Sequence, residues 1–369
     1  MEHEFTVHIM EILADEFRKE TPAIFAASPL LQYLNLKTRS AMRGSKARGS
    51  FANLYAVYVL VEDYLEQGFG KRKNYRDYAG AKFTDLFQRQ RELPFGSKLQ
   101  NHALNSRMNE EFKKYFPRVE YVPILRDLQT NRYWINENLL RVTIGKRTRN
   151  ISRVVIAIID RYIETKRDAF ERFIETCEKL GRVSAENDVQ VSEFISSLLA
   201  SNIDARIFEI VSFAILKFFY HDQTVFFGFD LDSIQEEPLK LYKTGRTNAN
   251  DGGIDFVMRP LGRFFQVTET LDARKYLLDI DKLEHYPVSF VIKSTESIGA
   301  LERKLRAGAE KRYAVKAIVD RYMNSIEEVI NCAVLQERFD QAVAQGSLRD
   351  ILGEIITQSK VEFNYEEEI

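Results

Sequence analysis

The side chains best suited to chemistry fall within residues 250–269, NDGGIDFVMRPLGRFFQVTE. Gly252 and Gly253 allow a tight turn and a close approach by a partner. Asp255 follows, between Ile254 and Phe256 in an otherwise apolar, strand-like run, and alternation puts it on one face with Val257. Beyond a Pro260-Leu261-Gly262 turn, Gln266 and Thr268 share a face with Phe264, while Glu269 points the other way. An acid and an amide inside two adjacent buried strands are costly unless they find partners. A hard cation such as Mg²⁺, held by a few oxygens and several waters, is a partner of the right kind. Glu209 is a third candidate oxygen. It lies close in helical angle to Phe213 and Leu216, off the polar stripe that carries Arg206 and Lys217.

Each residue also has a plainer reading. Asp255 could cap a turn or pair with Arg259 or Arg263, and Glu209 could pair with Arg206 or Lys217. Gln266 could satisfy backbone groups at a strand end, and Thr268 is a good strand residue. Glu269 would replace Gln266 as a ligand if the strand were bulged. The metal reading rests on the three oxygens together.

The elements that must position these groups change character near residue 200. Residues 51–64 and 154–180 have helical apolar recurrence, the second after Asn150 and Ser152 as caps and stopping at Gly181. The stretch GRVSAEND, 181–188, suits a linker, giving a helical domain over 1–188 and a second domain over 189–369. In the second, residues 203–220 form a helix apolar almost all round, of the kind sandwiched between layers. Strands are expected at 225–229, 253–258, 263–269 and 288–293, with helices from 302 to about 358. An α/β domain with a central sheet covered by helices follows, beside a mainly α-helical N-terminal domain.

The order Phe208-Glu209, an aromatic strand, Gly252-Gly253-Ile254-Asp255, then Gln266-Val267-Thr268 resembles the core of the PD-(D/E)XK nucleases, especially their Mrr-like branch. The likeness covers residues 203–295 and implies a restriction-endonuclease-like mixed sheet flanked by helices. It implies Asp255 as principal metal ligand, Gln266 at the position of the second acid, and Glu209 as the helix carboxylate that holds metal-bound water. Phosphodiester hydrolysis would then use Mg²⁺ to lower the pKa of the attacking water and to neutralise developing charge. The family lysine is matched here by Thr268, which cannot carry positive charge. Lys293 at the end of the next strand is the first substitute, and Lys243 the second.

Net charge is −1 over 369 residues, but the sum hides a dipole. Residues 1–200 carry 32 basic and 26 acidic side chains, and residues 37–150 carry 23 against 11. Three basic clusters suit phosphate contacts: Lys37, Arg39, Arg43, Lys46 and Arg48; Lys71, Arg72, Lys73 and Arg76; and Lys146, Arg147, Arg149 and Arg153. The expectation is a type II restriction endonuclease acting on double-stranded DNA with Mg²⁺, working as a homodimer because one centre per chain must serve two strands. A modification-dependent nuclease of the Mrr kind and a non-catalytic DNA-binding protein on a decayed nuclease fold are the alternatives.

Other classes find little support. No P-loop is present, so no nucleotide cofactor is expected, and no apolar run suits a membrane span. The five histidines form no ligand spacing, and two cysteines make no disulfide framework. Trp134, in NRYWIN, reads as packing. The acidic start MEHEFTVHIM lacks a charged-then-apolar leader, which leads to the expectation of a cytoplasmic protein.

Overall fold

A computed structural model describes residues 2–39, 47–70, 74–97, 99–182, 188–244, 253–269 and 271–363. Arg43, Lys46, Lys71, Arg72, Lys73, Asp251 and Gly252 lie outside the described residues, as do residues 183–187 of the expected linker and the side chain of Arg48. The chain divides into two units, Met1–Glu171 and Arg172–Ile369.

The first unit is helical with small sheets. Helices α1 (Glu4–Phe17), α2 (Thr21–Ala27) and α3 (Pro29–Thr38) precede the long α4 (Ala47–Glu66). Ser28 caps α3 by accepting from the Leu31 N–H, with Pro29 preset for the first turn. The expected helix over 51–64 is the middle of α4. Its run from Leu54 to Tyr58 is buried on every side, so α4 is the axis around which this unit packs. Strand β1 (Ala81–Lys82) leads into α5 (Phe83–Glu92), followed by α6 (Met108–Tyr115), β2 (Ile124–Asp127) and β3 (Arg132–Ile135). These strands pair antiparallel in the order β1-β3-β2. Trp134 packs where a Cβ on Gly80 would come within 2.5 Å of its ring, and its indole N–H donates to the Tyr78 carbonyl at 2.7 Å. A single turn, α7 (Glu137–Leu140), opens the hairpin of β4 (Arg141–Ile144) and β5 (Arg147–Asn150). Helix α8 (Ser152–Arg182) starts in this unit and ends in the second, running through Gly181. The unit boundary therefore falls inside a continuous helix, ahead of the Gly181–Asp188 stretch.

The second unit contains α9 (Asp188–Ser197), α10 (Ala205–Tyr220), β6 (Thr224–Phe227), β7 (Gln235–Pro238), β8 (Lys240–Lys243), β9 (Phe256–Arg259) and β10 (Arg263–Thr268). It continues with α11 (Ala273–Lys282), β11 (Val288–Ile292), α12 (Ile298–Arg312), α13 (Lys316–Asn324), β12 (Ile326–Ile330), α14 (Cys332–Ala344) and α15 (Leu348–Phe363). A five-stranded mixed sheet runs in the order β12-β11-β10-β9-β8. Strands β8, β9 and β10 form an antiparallel meander, whereas β10, β11 and β12 are parallel and need helical crossovers.

Helices cover both faces of this sheet, which makes a three-layer α/β arrangement. On one face, Phe213 and Tyr220 of α10 meet Phe256 of β9 and Phe265 of β10, with ring centroids 5.2 and 6.2 Å apart. The outer stripe of α10 is occupied too: Arg206 pairs with Glu362 at 3.1 Å and Lys217 with Glu354 at 2.7 Å, both on α15. Hence α10 is sandwiched, as its near-uniform apolarity requires. On the other face Tyr276 of α11 packs on Phe290 of β11 at 4.5 Å, beside Leu301 and Leu305 of α12. All five residues of β11 are buried, as expected of a strand enclosed by two helical layers.

Two elements depart from the sequence reading. The aromatic run at 225–229 does not enter the central sheet; β6 pairs with β7 as a separate hairpin, leaving Phe226 and Phe229 exposed. Within the stretch expected to be helical after 302, residues 326–330 form β12, because the open edge of β11 supplies parallel hydrogen bonds. Among the described residues no helix is long and apolar enough to cross a membrane.

Candidate functional site

Every candidate side chain of the second unit gathers at one end of the sheet, where β8, β10 and β11 end and β9 begins. Just before β9, Gly253 adopts φ +72, the left-handed conformation that glycine tolerates best. Asp255 is pinned next to it: its N–H donates to the Phe265 carbonyl at 2.9 Å, and its carbonyl accepts from Thr244 N–H at 2.9 Å. Its carboxylate Oδ2 accepts the Val267 N–H at 2.7 Å, so a side chain takes over from the backbone as partner of β10.

Gln266 lies on β10 beside this carboxylate's partner and is only 3 % exposed. Its Nε2 donates to Oδ2 of Asp279 on α11 at 2.6 Å. Its Oε1 is buried and has no hydrogen-bond partner among the described residues. A buried amide oxygen without a donor carries a desolvation cost of about 1–3 kcal/mol. A Cβ on Gly253 would stand 3.0 Å from Gln266 Nε2 and 3.6 Å from Asp279 Oδ1, so the second glycine of the motif lets the turn lie against this pair.

Alternation along β10 separates the remaining groups. Phe265 faces α10, while Gln266 faces α11 and is joined there by Thr268. Tyr276 of α11 is buried on this side too, and that burial raises its phenol above the ordinary value. Glu269 takes the opposite side and pairs with Lys293 Nζ at 2.6 Å. Lys293 also donates to the Ile203 carbonyl at 2.7 Å, just ahead of α10, and its ammonium is nearly enclosed. Glu209 on α10 pairs with Lys243 of β8 at 3.3 Å. The two lysines considered as substitutes are therefore both bonded to carboxylates on the α10 side, away from Thr268.

The structure thus brings Asp255 and Gln266 to neighbouring positions and places Glu209 across the sheet from the Gln266 amide. Among the described residues no three His, Cys, Asp or Glu side chains cluster as a metal site. Asp279 is a site neighbour that sequence reasoning passed over. Its signal was present, because it sits on the apolar stripe of α11 with Tyr276, Ile280 and Leu283, the same anomaly that singled out Glu209.

The basic clusters of the first unit divide by partner. Lys37 is held by Glu111 at 2.8 Å with little exposure. Arg149 forks onto Glu20 at 2.7 and 3.1 Å, and Arg147 stands 3.7 Å from the same carboxylate. The Arg149 hydrogen bonds hold the Glu20 carboxyl below its ordinary range. Lys146, Arg76 and Arg153 are exposed and form no ion pair among the described residues. Arg39 ends α3 on the surface. Compared with known proteins, the chain matches no family, no curated sequence and no solved structure.

Proposed function

We propose that the second unit is a divalent-metal-dependent DNA endonuclease centred on Asp255 and Gln266. The observation that carries this reading is the Gln266 amide oxygen, buried and without a donor at the position the motif marks for a metal ligand. The order of elements supports it: Glu209 on the preceding helix, Asp255 after the glycine turn and Gln266 on the adjacent strand, all at one sheet end. A carboxylate and an amide carbonyl are both hard oxygen donors, suited in kind to Mg²⁺, which commonly takes one or two protein oxygens and keeps several waters. Bound there, the ion would supply Lewis acidity and a water of lowered pKa. Asp255 and Gln266 would hold it, while the exposed Lys146, Arg153 and Arg76 would engage phosphates. Sequence-specific cleavage in the manner of a type II restriction enzyme, a homodimer and a cytoplasmic setting belong to the same proposal.

A non-catalytic DNA-binding role is the second reading, favoured by one observation. Glu209 and Glu269 are each closed onto a lysine, and Thr268 brings no ammonium to the Gln266 side. Incubation of the protein with large plasmid DNA and Mg²⁺ or Mn²⁺ separates the two. Discrete fragments support the endonuclease, and fragments from modified DNA alone assign it a methyl-directed target. Retarded but uncut DNA with every divalent metal would leave only the binding role.

A further inference from the structure

A glutamine amide has an acceptor end and a donor end of nearly equal size, and its neighbours decide which way each points. At Gln266 that choice is made by one residue. Asp279 is ionised-acceptor-only chemistry when charged, it is 4 % exposed, and its Oδ2 takes the Nε2 end at 2.6 Å. Turning the amide over would press Oε1 against a carboxylate oxygen. The acceptor end is thereby held away from the Asp279 carboxylate. Two further features support the arrangement. Lys282, one turn along α11, places its ammonium 3.9 Å from the other oxygen, Asp279 Oδ1. Gly253 lies so close that a Cβ would reach 3.0 Å from Nε2.

We infer that Asp279 is the positioning residue of the metal centre: it orients the Gln266 amide so that Oε1 is the face offered to the cation. This rests on the metal-dependent reading above, and goes beyond it by assigning a role to a helix residue outside the motif. Residues that orient a ligand without touching the metal typically govern affinity by about 10–100-fold.

The test is Mn²⁺ binding by the full chain without DNA, followed by calorimetry or by loss of the free-ion electron paramagnetic resonance signal. Wild-type protein is expected to bind. Asp279→Asn presents both a donor and an acceptor to Gln266 and releases its orientation, so affinity should fall by about tenfold or more. Adding Gln266→Glu to that variant should restore affinity to near the wild-type value, because a carboxylate has oxygen at both ends and needs no orienting partner. In wild-type protein labelled with ¹⁵N-glutamine, Mg²⁺ should shift the Gln266 side-chain amide signals, a readout that needs no variant to fold. Failure of the wild-type protein to bind Mn²⁺ would overturn the metal reading and this inference together. Normal wild-type binding with undiminished affinity in Asp279→Asn, or a loss that Gln266→Glu does not restore, would overturn the role of Asp279 alone. Unmoved Gln266 amide signals in protein that binds the metal would do the same.

Discussion

Where β10, β11 and β12 begin, Arg263 donates to Glu328 at 2.7 Å, approaches Glu327 at 3.1 Å, and reaches Tyr220 at 3.2 Å. Arg338 of α14 shares Glu328 and Tyr220, and lies 4.9 Å over the Phe219 ring. Where the same strands end, Gln266 keeps an unpaired oxygen, Asp255 substitutes a side chain for a strand carbonyl, and Asp279 is buried on a helix. One sheet therefore has a starting end whose charged groups are multiply bonded and an ending end where a buried amide oxygen, Gln266 Oε1, lacks a donor among the described residues. Buried polar groups are normally satisfied, because leaving them bare is expensive. The first end is built to hold the layers together. The second leaves the Gln266 amide oxygen without a donor among the described residues.

That contrast can be broken by swapping the outcomes of mutation. The largest expected effect is at the ending end: Asp255→Asn still accepts the Val267 N–H, so stability should change by less than about 1 kcal/mol. DNA cleavage should nonetheless drop by about a thousandfold or more, as several kcal/mol of metal-derived stabilisation is lost. Retained cutting in a plasmid assay would remove Asp255 from the centre. At the starting end the order reverses. Arg263→Ala removes the bonds to Glu328 and Tyr220 from a partly buried network and should destabilise by about 1–2 kcal/mol, seen as a lowered thermal midpoint. An unchanged midpoint would show that the paired end contributes no stability.

The same distinction between matched and unmatched groups applies within the first unit, with smaller effects. Reversing Lys146 and Arg153 to Glu should weaken DNA binding by about tenfold or more and flatten its salt dependence, since exposed cations release phosphate counterions. Arg149→Ala, which removes a cation already engaged by Glu20, should leave affinity nearly unchanged. Equal losses from both would erase the distinction. The smallest effect is electrostatic. Glu20 titrates below its ordinary value of 4.5 because of Arg149. A depressed folded-state pKa contributes stability that is present above the unfolded value and fades as pH falls through the folded one. Carboxyl NMR titration should find Glu20 low in the wild type and returned upward in Arg149→Ala.

Much of this organisation was legible in the sequence where local chemistry and tertiary demand agree. The all-round apolarity of residues 203–220 required two covering layers, and α10 has them. The Pro260–Gly262 turn placed β9 against β10 because turn chemistry is local. The strand at 326–330 escaped notice because Ile-Glu-Glu-Val-Ile has no strict alternation, and its pairing depends on β11, far away in sequence. The hairpin of β6 and β7 misled for the converse reason, since aromatic β-propensity says that a strand forms but not which sheet it joins. Spacing also placed Glu209 with Gln266, whereas strand alternation sends them to opposite faces. Asp279 needed the crossover through α11 to become a neighbour of residues 13 and 26 positions earlier.

The hydrogen bond from the Val267 N–H to Asp255 Oδ2 has a consequence for measurement. Most strand amides exchange with solvent deuterium at rates set by the opening of a backbone ladder. This one is protected by a carboxylate. Its exchange rate follows the rotamer of a single side chain, and so reports when Asp255 turns from its own strand toward something else. A lone slow amide at residue 267 that quickens as divalent metal is added would be a built-in clock for the engagement of that carboxylate.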